Sequence, residues 1–126
     1  METLLLISLF FCHFLADYTH LSTAWMLGAK RLGRPIIPIL AHASVHAFLM
    51  MLVLWFFLDH NQGYLLLKLV LFQLLTHFTI DLWKGRMNAW FPSLQSPANK
   101  WHWIVFGADQ FFHAVIIILM VHKVYP

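Results

Sequence analysis

Thr76-His77-Phe78-Thr79-Ile80-Asp81-Leu82-Trp83-Lys84 closes an apolar run that begins near Tyr64. A helix places residues i and i+4 on one face, one turn apart, so His77 and Asp81 form a stacked imidazole–carboxylate pair. If the run crosses a membrane, the pair lies where ionisable groups are costly and by default mark a site. Three other apolar segments carry the same device: His13 with Asp17, His42 with His46, and Asp109 with His113.

The composition makes the membrane reading the natural one. Of 126 residues, 61% are hydrophobic and only 10% charged, and the mean hydropathy is +0.73. Soluble domains carry roughly a quarter charged residues. The chain is therefore expected to be one all-α integral membrane domain spanning residues 1–126. The net charge of +3 is spread over segment ends and forms no basic run, which speaks against a nucleic-acid partner. The single cysteine, Cys12, excludes an internal disulfide and any Cys-rich zinc motif, and reads as a small buried hydrophobe. Met1-Glu2-Thr3 lacks the basic start of a signal peptide, so the first apolar segment is expected to stay as a membrane helix. There is no repeat of solenoid period and no Gly-rich phosphate loop.

Outward from Tyr64–Trp83, the pattern predicts four antiparallel transmembrane helices in a bundle, at about residues 3–18, 36–58, 64–83 and 104–122. The first is short for a span. Between it and the second, Trp25, Lys30, Arg31 and Arg34 predict a short interfacial helix with aromatic and basic groups at headgroup level, ended by Gly33 and Pro35. Pro38 falls in the first turn of the second span, where a missing N–H is harmless. Asp59-His60-Asn61-Gln62-Gly63 is a short polar link and predicts a helical hairpin. Pro92, Pro97, Trp90, Trp101 and Trp103 predict that the link over residues 84–103 is a loop lying on the membrane surface.

Lys30, Arg31, Arg34, Lys84, Arg86 and Lys100 lie in the first and third links, against Lys68 and Lys123 on the other side. The positive-inside rule then puts these two links in the cytoplasm and both termini outside, in the periplasm for a bacterial inner-membrane protein. In this topology the four pairs share a depth. His13, His42, His77 and Asp109 each stand five or six residues from the cytoplasmic end of their span, roughly 8–9 Å in at the helical rise. Asp17 and Asp81 lie a turn nearer the cytoplasm, His46 and His113 a turn deeper. Bundles of this kind hold metal ions between inward carboxylates and imidazoles.

Five histidines and three aspartates suit zinc, iron or manganese better than calcium or magnesium, which take oxygen ligands. Zinc is the first choice because it needs no redox partner and accepts mixed nitrogen and oxygen ligands. Eight candidate ligands (His13, Asp17, His42, His46, His77, Asp81, Asp109 and His113) exceed one tetrahedral shell. Either the centre is dinuclear, or some of the eight orient the others or act as base. A metal with an open position acidifies water, and Asp81 or Asp17, nearest the cytoplasm, is the candidate catalytic residue that would take the proton. The expected activity is hydrolysis of a lipid-like or small amphiphilic substrate entering from the inner leaflet. A metal-ion or proton carrier, a metal sensor, and a non-catalytic membrane partner subunit are the alternatives, and a homo-oligomer stays open. His42-Ala43-Ser44-Val45-His46 has the spacing of the zinc-protease helix, but Ala43 stands where that chemistry needs glutamate. Gln73, Thr76 and Gln110 are candidate hydrogen-bonding neighbours. A haem is disfavoured by three nearby aspartates, and the six tryptophans read as a membrane belt.

With His13-x-x-x-Asp17, His42-x-x-x-His46, His77-x-x-x-Asp81 and Asp109-Gln110-x-x-His113 in this order, the chain resembles the 3307 domain-of-unknown-function family of small bacterial integral membrane proteins. The resemblance covers nearly the whole chain and implies a bacterial inner-membrane location and an all-α fold, without an activity. A looser analogy, of mechanism only, is to intramembrane zinc hydrolases of the alkaline ceramidase and adiponectin-receptor group, which have seven spans and another ligand order.

Overall fold

The computed structural model describes residues 1–126, and the protein is all-helical. Five α-helices follow one another: α1 (Glu2–Tyr18), α2 (Ala24–Leu32), α3 (Ile36–Phe57), α4 (Gly63–Trp90) and α5 (Lys100–Val124). Short 3₁₀ turns, His60–Gln62 and Pro92–Gln95, lie before α4 and after it. Three helices, α3, α4 and α5, are long and apolar enough to cross a membrane. At 17 residues α1 falls below the roughly 20 that cross the hydrocarbon.

The long helices pack side by side with α1. Ala16 of α1 and Ala43 and Ala47 of α3 are buried. Where lipid tails are as apolar as leucine, helices associate through close packing, and small side chains permit it. At one end of the bundle the interior is apolar, built from Leu5, Leu9, Met50, Leu54, Leu69, Ile117 and Met120. At the other end the interior is polar. Large apolar side chains cover the outside, among them Phe14, Phe48, Phe56, Leu75, Phe111 and Ile118, as expected of helices solvated by acyl chains.

The ends of the third predicted span differ from expectation. The apolar run ends at Trp83, but α4 continues to Trp90, so residues 84–90 are helix and not surface loop. Lys84-Gly85-Arg86-Met87-Asn88-Ala89 contains no proline to stop the helix. Pro92, whose ring fits the first turn of a new helical segment, begins the 3₁₀ turn just after it. The following helix likewise starts at Lys100, capped by the Asn99 side chain accepting from the Trp101 N–H at 3.1 Å, rather than near Ile104. The end of an apolar stretch marks where polar surroundings begin, which need not be where the helix ends.

Helix α2 is the short helix expected after the first segment, and its packing decides the site. Thr23 caps its start by accepting from the Met26 N–H, and Gly33 ends it in the left-handed conformation at φ 64°. There it meets Gly85 of α4. A Cβ on Gly85 would stand 2.3 Å from the Gly33 nitrogen and 2.5 Å from the Lys30 carbonyl oxygen. Only a glycine lets the two backbones come this close. A polar latch holds the contact: Asn88 Nδ2 donates to the Arg31 carbonyl at 3.2 Å, and Arg31 Nε donates to Gln95 Oε1 at 2.9 Å. The helix is thus folded back over the polar end of the bundle.

Candidate metal centre

Each of the four pairs turns into the bundle. His42, His46 and His77 are wholly buried, and Asp81, Asp109, His113 and His13 nearly so. Asp17 stands at the edge. Asp17 Oδ1 lies 2.9 Å from His42 Nε2 and 3.2 Å from His46 Nε2, and these two nitrogens are 3.1 Å apart. On α4, His77 Nε2 is 3.4 Å from Asp81 Oδ2, and His113 Nε2 of α5 is 3.9 Å from Asp81 Oδ1. The His46 and His77 rings are 3.7 Å apart between centroids, and His77 and His113 are 4.2 Å apart.

Two sets of donor atoms gather closely enough to hold an ion. Asp17, His42, His46 and His77 form one, and His77, Asp81 and His113 the other; within each set one donor atom per residue lies within 4.8 Å of the rest. They share His77. The remaining two sequence candidates stand beside these sets. His13 packs its ring 4.9 Å from His46 and 5.1 Å from His113, with Nε2 3.3 Å from Asp17 Oδ2. Asp109 pairs with Lys84, Nζ to Oδ2 at 2.8 Å.

Many of these atoms lack a hydrogen-bond partner. Asp81 Oδ1, His113 Nε2, His13 Nδ1 and Asp109 Oδ1 are buried without one, while Asp81 Oδ2, His77 Nε2 and His13 Nε2 have only charged or imidazole neighbours at 3.3–3.4 Å. A buried polar group left unpaired costs about 1–3 kcal/mol, and more when charged. Several such atoms facing one another would be self-defeating in a centre built only for packing. The same atoms suit a cation. Ligands of a tetrahedral ion with bonds of about 2.0–2.1 Å stand about 3.3–3.4 Å from one another, close to the spacings around Asp17 Oδ1. His113 Nδ1 lies 2.8 Å from the Asp109 carbonyl oxygen, so an N–H there donates to the backbone and leaves Nε2 as the free lone pair.

One residue of the centre is absent from the sequence expectation. Lys30, read as a headgroup-level cation, instead points inward from α2. Its Nζ lies 3.2 Å from Asp17 Oδ1, 2.9 Å from His42 Nε2 and 3.3 Å from Asp81 Oδ2. Burial works against its charge, but the carboxylates of Asp81, Asp17 and Asp109 outweigh burial and hold its pKa above the ordinary lysine value. Nothing local in the sequence marks Lys30 for this role. The one signal was Gly85, a glycine inside a helix, which permits the close approach of α2.

The hydrogen-bonding candidates separate. Gln73 reaches His77, its amide nitrogen 3.4 Å from Nδ1. Gln110 Nε2 donates to Asp109 Oδ2 at 3.1 Å. Thr76 donates its hydroxyl to the Phe72 carbonyl of its own helix at 2.6 Å and takes no part. A cavity of about 270 Å³ opens beside the centre, with Asp17, Lys30, Lys84, Asp109 and Gln110 in its wall.

The chain matches the family described as Protein of unknown function (DUF3307) over residues 5–126, and belongs to that family. No curated protein and no solved structure matches it.

Proposed function

We propose that this DUF3307 protein is a four-span protein of the bacterial inner membrane that holds a divalent metal ion, zinc first, and hydrolyses a lipid-like or amphiphilic substrate reached from the cytoplasmic leaflet. The observation that carries the reading is the convergence of His42 Nε2, His46 Nε2 and Asp17 Oδ1 within 2.9–3.2 Å of one another. In this reading Asp17, His42, His46 and His77 hold the ion. His77, Asp81 and His113 offer room for a second. Iron or manganese would fit the same mixed donors.

A bound divalent ion would polarise an ester or amide carbonyl and acidify water. The chain's own groups supply the rest. Asp81, whose Oδ2 faces Lys30 at 3.3 Å and whose Oδ1 has no hydrogen-bond partner, is the group assigned to accept a proton at Oδ1. Gln73 orients His77: turning the amide by half a turn puts Oε1, otherwise unpaired, toward Nδ1 and leaves Nε2 as the ligating atom. The cavity beside Asp17 and Asp109 gives a substrate access from one side. The opposite half of the bundle is closed by Leu5, Leu9, Met50, Leu54 and Ile117. That closure favours a one-sided site over a carrier with a path across the whole bilayer.

The test is metal analysis of the full chain purified without chelator, wild type beside Asp17→Ala, His77→Ala and Asp81→Ala. The expected result is about one ion or more per chain in the wild type, lost in Asp17→Ala and His77→Ala. Folded wild-type protein free of metal would sink the reading. Given metal, hydrolysis of ester and amide lipid probes that disappears in Asp81→Ala would separate a hydrolase from a carrier or sensor.

A further inference from the structure

The cavity beside the metal centre carries an inference of its own, which rests on the metal reading above. Its wall has cations on two sides: Lys30 and Arg31 from α2, and Lys84 from α4. The amides of Asn88 and Gln110 add further donors. A volume of about 270 Å³ is just under the range of small-molecule sites, about 300 Å³ upward, and suits a headgroup better than a whole lipid.

Charge accounting gives the sign of what enters. Around the centre, three carboxylates (Asp17, Asp81, Asp109) face two lysines (Lys30, Lys84), and with neutral imidazoles the set carries one negative charge; Arg31 stands at the exposed rim, its Nε donating to Gln95 Oε1. One divalent ion added to this set leaves one positive charge unmatched. In a centre walled by apolar helices such an excess is costly, and an anion within a few ångströms relieves it. Phosphate is the anion for which lysine and arginine donors and a nearby metal are the usual setting.

The same seam supplies a place for a chain. Lys84 on α4 and Asp109 on α5 border the cavity. One and two turns further in on the same stripes lie Ile80 and Thr76 of α4, and Phe112 and Ile116 of α5. These four line a groove of about 340 Å³ that is nearly all apolar and open to the outside of the bundle. The cavity and the groove share no wall residue but lie one turn apart along the same helix seam, an arrangement that fits an amphiphile with one end in each.

We propose that the cavity and groove together bind a phosphate-bearing lipid, its phosphate between Lys84, Arg31 and the metal centre and an acyl chain along the α4–α5 groove. The ligand is held by two kinds of contact, so each can be removed alone. Lys84→Met removes a phosphate donor, Arg31→Met removes one on the exposed rim, and Thr76→Trp fills the groove while leaving every cation in place.

The experiment is calorimetric titration of the zinc-loaded full chain in detergent with short-chain phosphatidic acid, short-chain phosphatidylcholine and inorganic phosphate, with metal content measured on every sample. Saturable binding is expected for phosphatidic acid, at least tenfold tighter than for phosphatidylcholine or inorganic phosphate. Arg31→Met and Lys84→Met weaken it several-fold with metal content unchanged; Lys84→Arg restores the Lys84 loss. Thr76→Trp weakens phosphatidic acid but not inorganic phosphate. Metal-loaded protein that binds phosphatidic acid no better than phosphatidylcholine overturns the lipid proposal and leaves the metal reading standing. Equal affinity for inorganic phosphate and phosphatidic acid removes the groove from it. A wild type that retains no metal overturns both.

Discussion

The two ends of the bundle are buried to the same degree and built from opposite materials. Leu5, Leu9, Met50 and Leu54 have no exposed surface, and neither do His42, His46 and His77. Burial therefore does not tell the ends apart; its cost does. In a bilayer the apolar end loses nothing by facing lipid, and it holds together by close packing alone. Imidazoles and carboxylates at the other end must be compensated wherever they are. Lys30 supplies part of that compensation, at Asp17 Oδ1 and Asp81 Oδ2, and Asp81 Oδ1 and His113 Nε2 are among the atoms it does not reach. One end of the bundle is a packing solution, and the other gathers side chains that could hold a cation.

Removing a ligand should give the largest difference between the ends. Changes in groups that merely orient a ligand lower metal affinity about 10–100-fold, and loss of the ligand itself costs more. Asp17→Ala, which takes away the oxygen nearest both His42 Nε2 and His46 Nε2, is expected to abolish metal retention. Elemental analysis of purified protein reads this directly. Retention at wild-type level in Asp17→Ala would remove the first set of ligands from consideration.

Gly85→Val comes next, and it attacks the placement of α2 rather than the ligands. The added Cβ meets the Gly33 nitrogen and the Lys30 carbonyl, both backbone, so no side chain can yield. Overpacking usually costs about 1–3 kcal/mol, and a backbone clash lies at the upper end or beyond. The expected outcome is a lower melting temperature in detergent together with release of Lys30 from the centre. A Gly85→Val protein with wild-type melting would mean that α2 does not press on α4 at this glycine.

A smaller and opposite effect is expected from Lys30→Met. An ammonium and a divalent ion sharing Asp17 and His42 repel each other, by about 8 kcal/mol at 4 Å in a surrounding of moderate dielectric. Lys30 must move aside when the ion enters. Removing its charge should therefore tighten metal binding, by about tenfold if roughly 1.4 kcal/mol of the repulsion survives that movement. Competition with a chelator of known affinity measures it. Weaker binding in Lys30→Met would make the lysine a support for the ion and not its rival.

These expectations divide along what the sequence discloses. The four pairs were legible because their spacing is local: Asp81 follows His77 by one turn whatever the rest of the chain does. The helical class and the hairpin at Asp59–Gly63 were legible for the same reason. Lys30 was not, because its partners are 13 residues back at Asp17, 12 ahead at His42 and far ahead at Asp81. Only the meeting of Gly33 with Gly85 brings it in, and a contact between two distant glycines leaves no periodic trace. The extension of α4 to Trp90 was hidden by a change of surroundings at Lys84 that looked like a change of structure. His13 and Asp109 were read as ligands beside the other six and stand outside both ligand sets, since depth along a helix says nothing about which atom reaches the axis.

The smallest effect belongs to the apolar end, and it is the control that gives the others meaning. Leu54→Ala empties a fully buried position among Leu5, Leu9 and Met50. In a soluble core such a change costs about 2–5 kcal/mol, part of it the transfer of the side chain from water. Within a bilayer that transfer contribution is missing, and what remains is lost packing against neighbours. The expected result is a drop of a few degrees in melting temperature with metal content unaltered. If Leu54→Ala instead emptied the metal site, the two ends would be one cooperative unit, and the loss of metal in Asp17→Ala could no longer be read as the loss of a ligand.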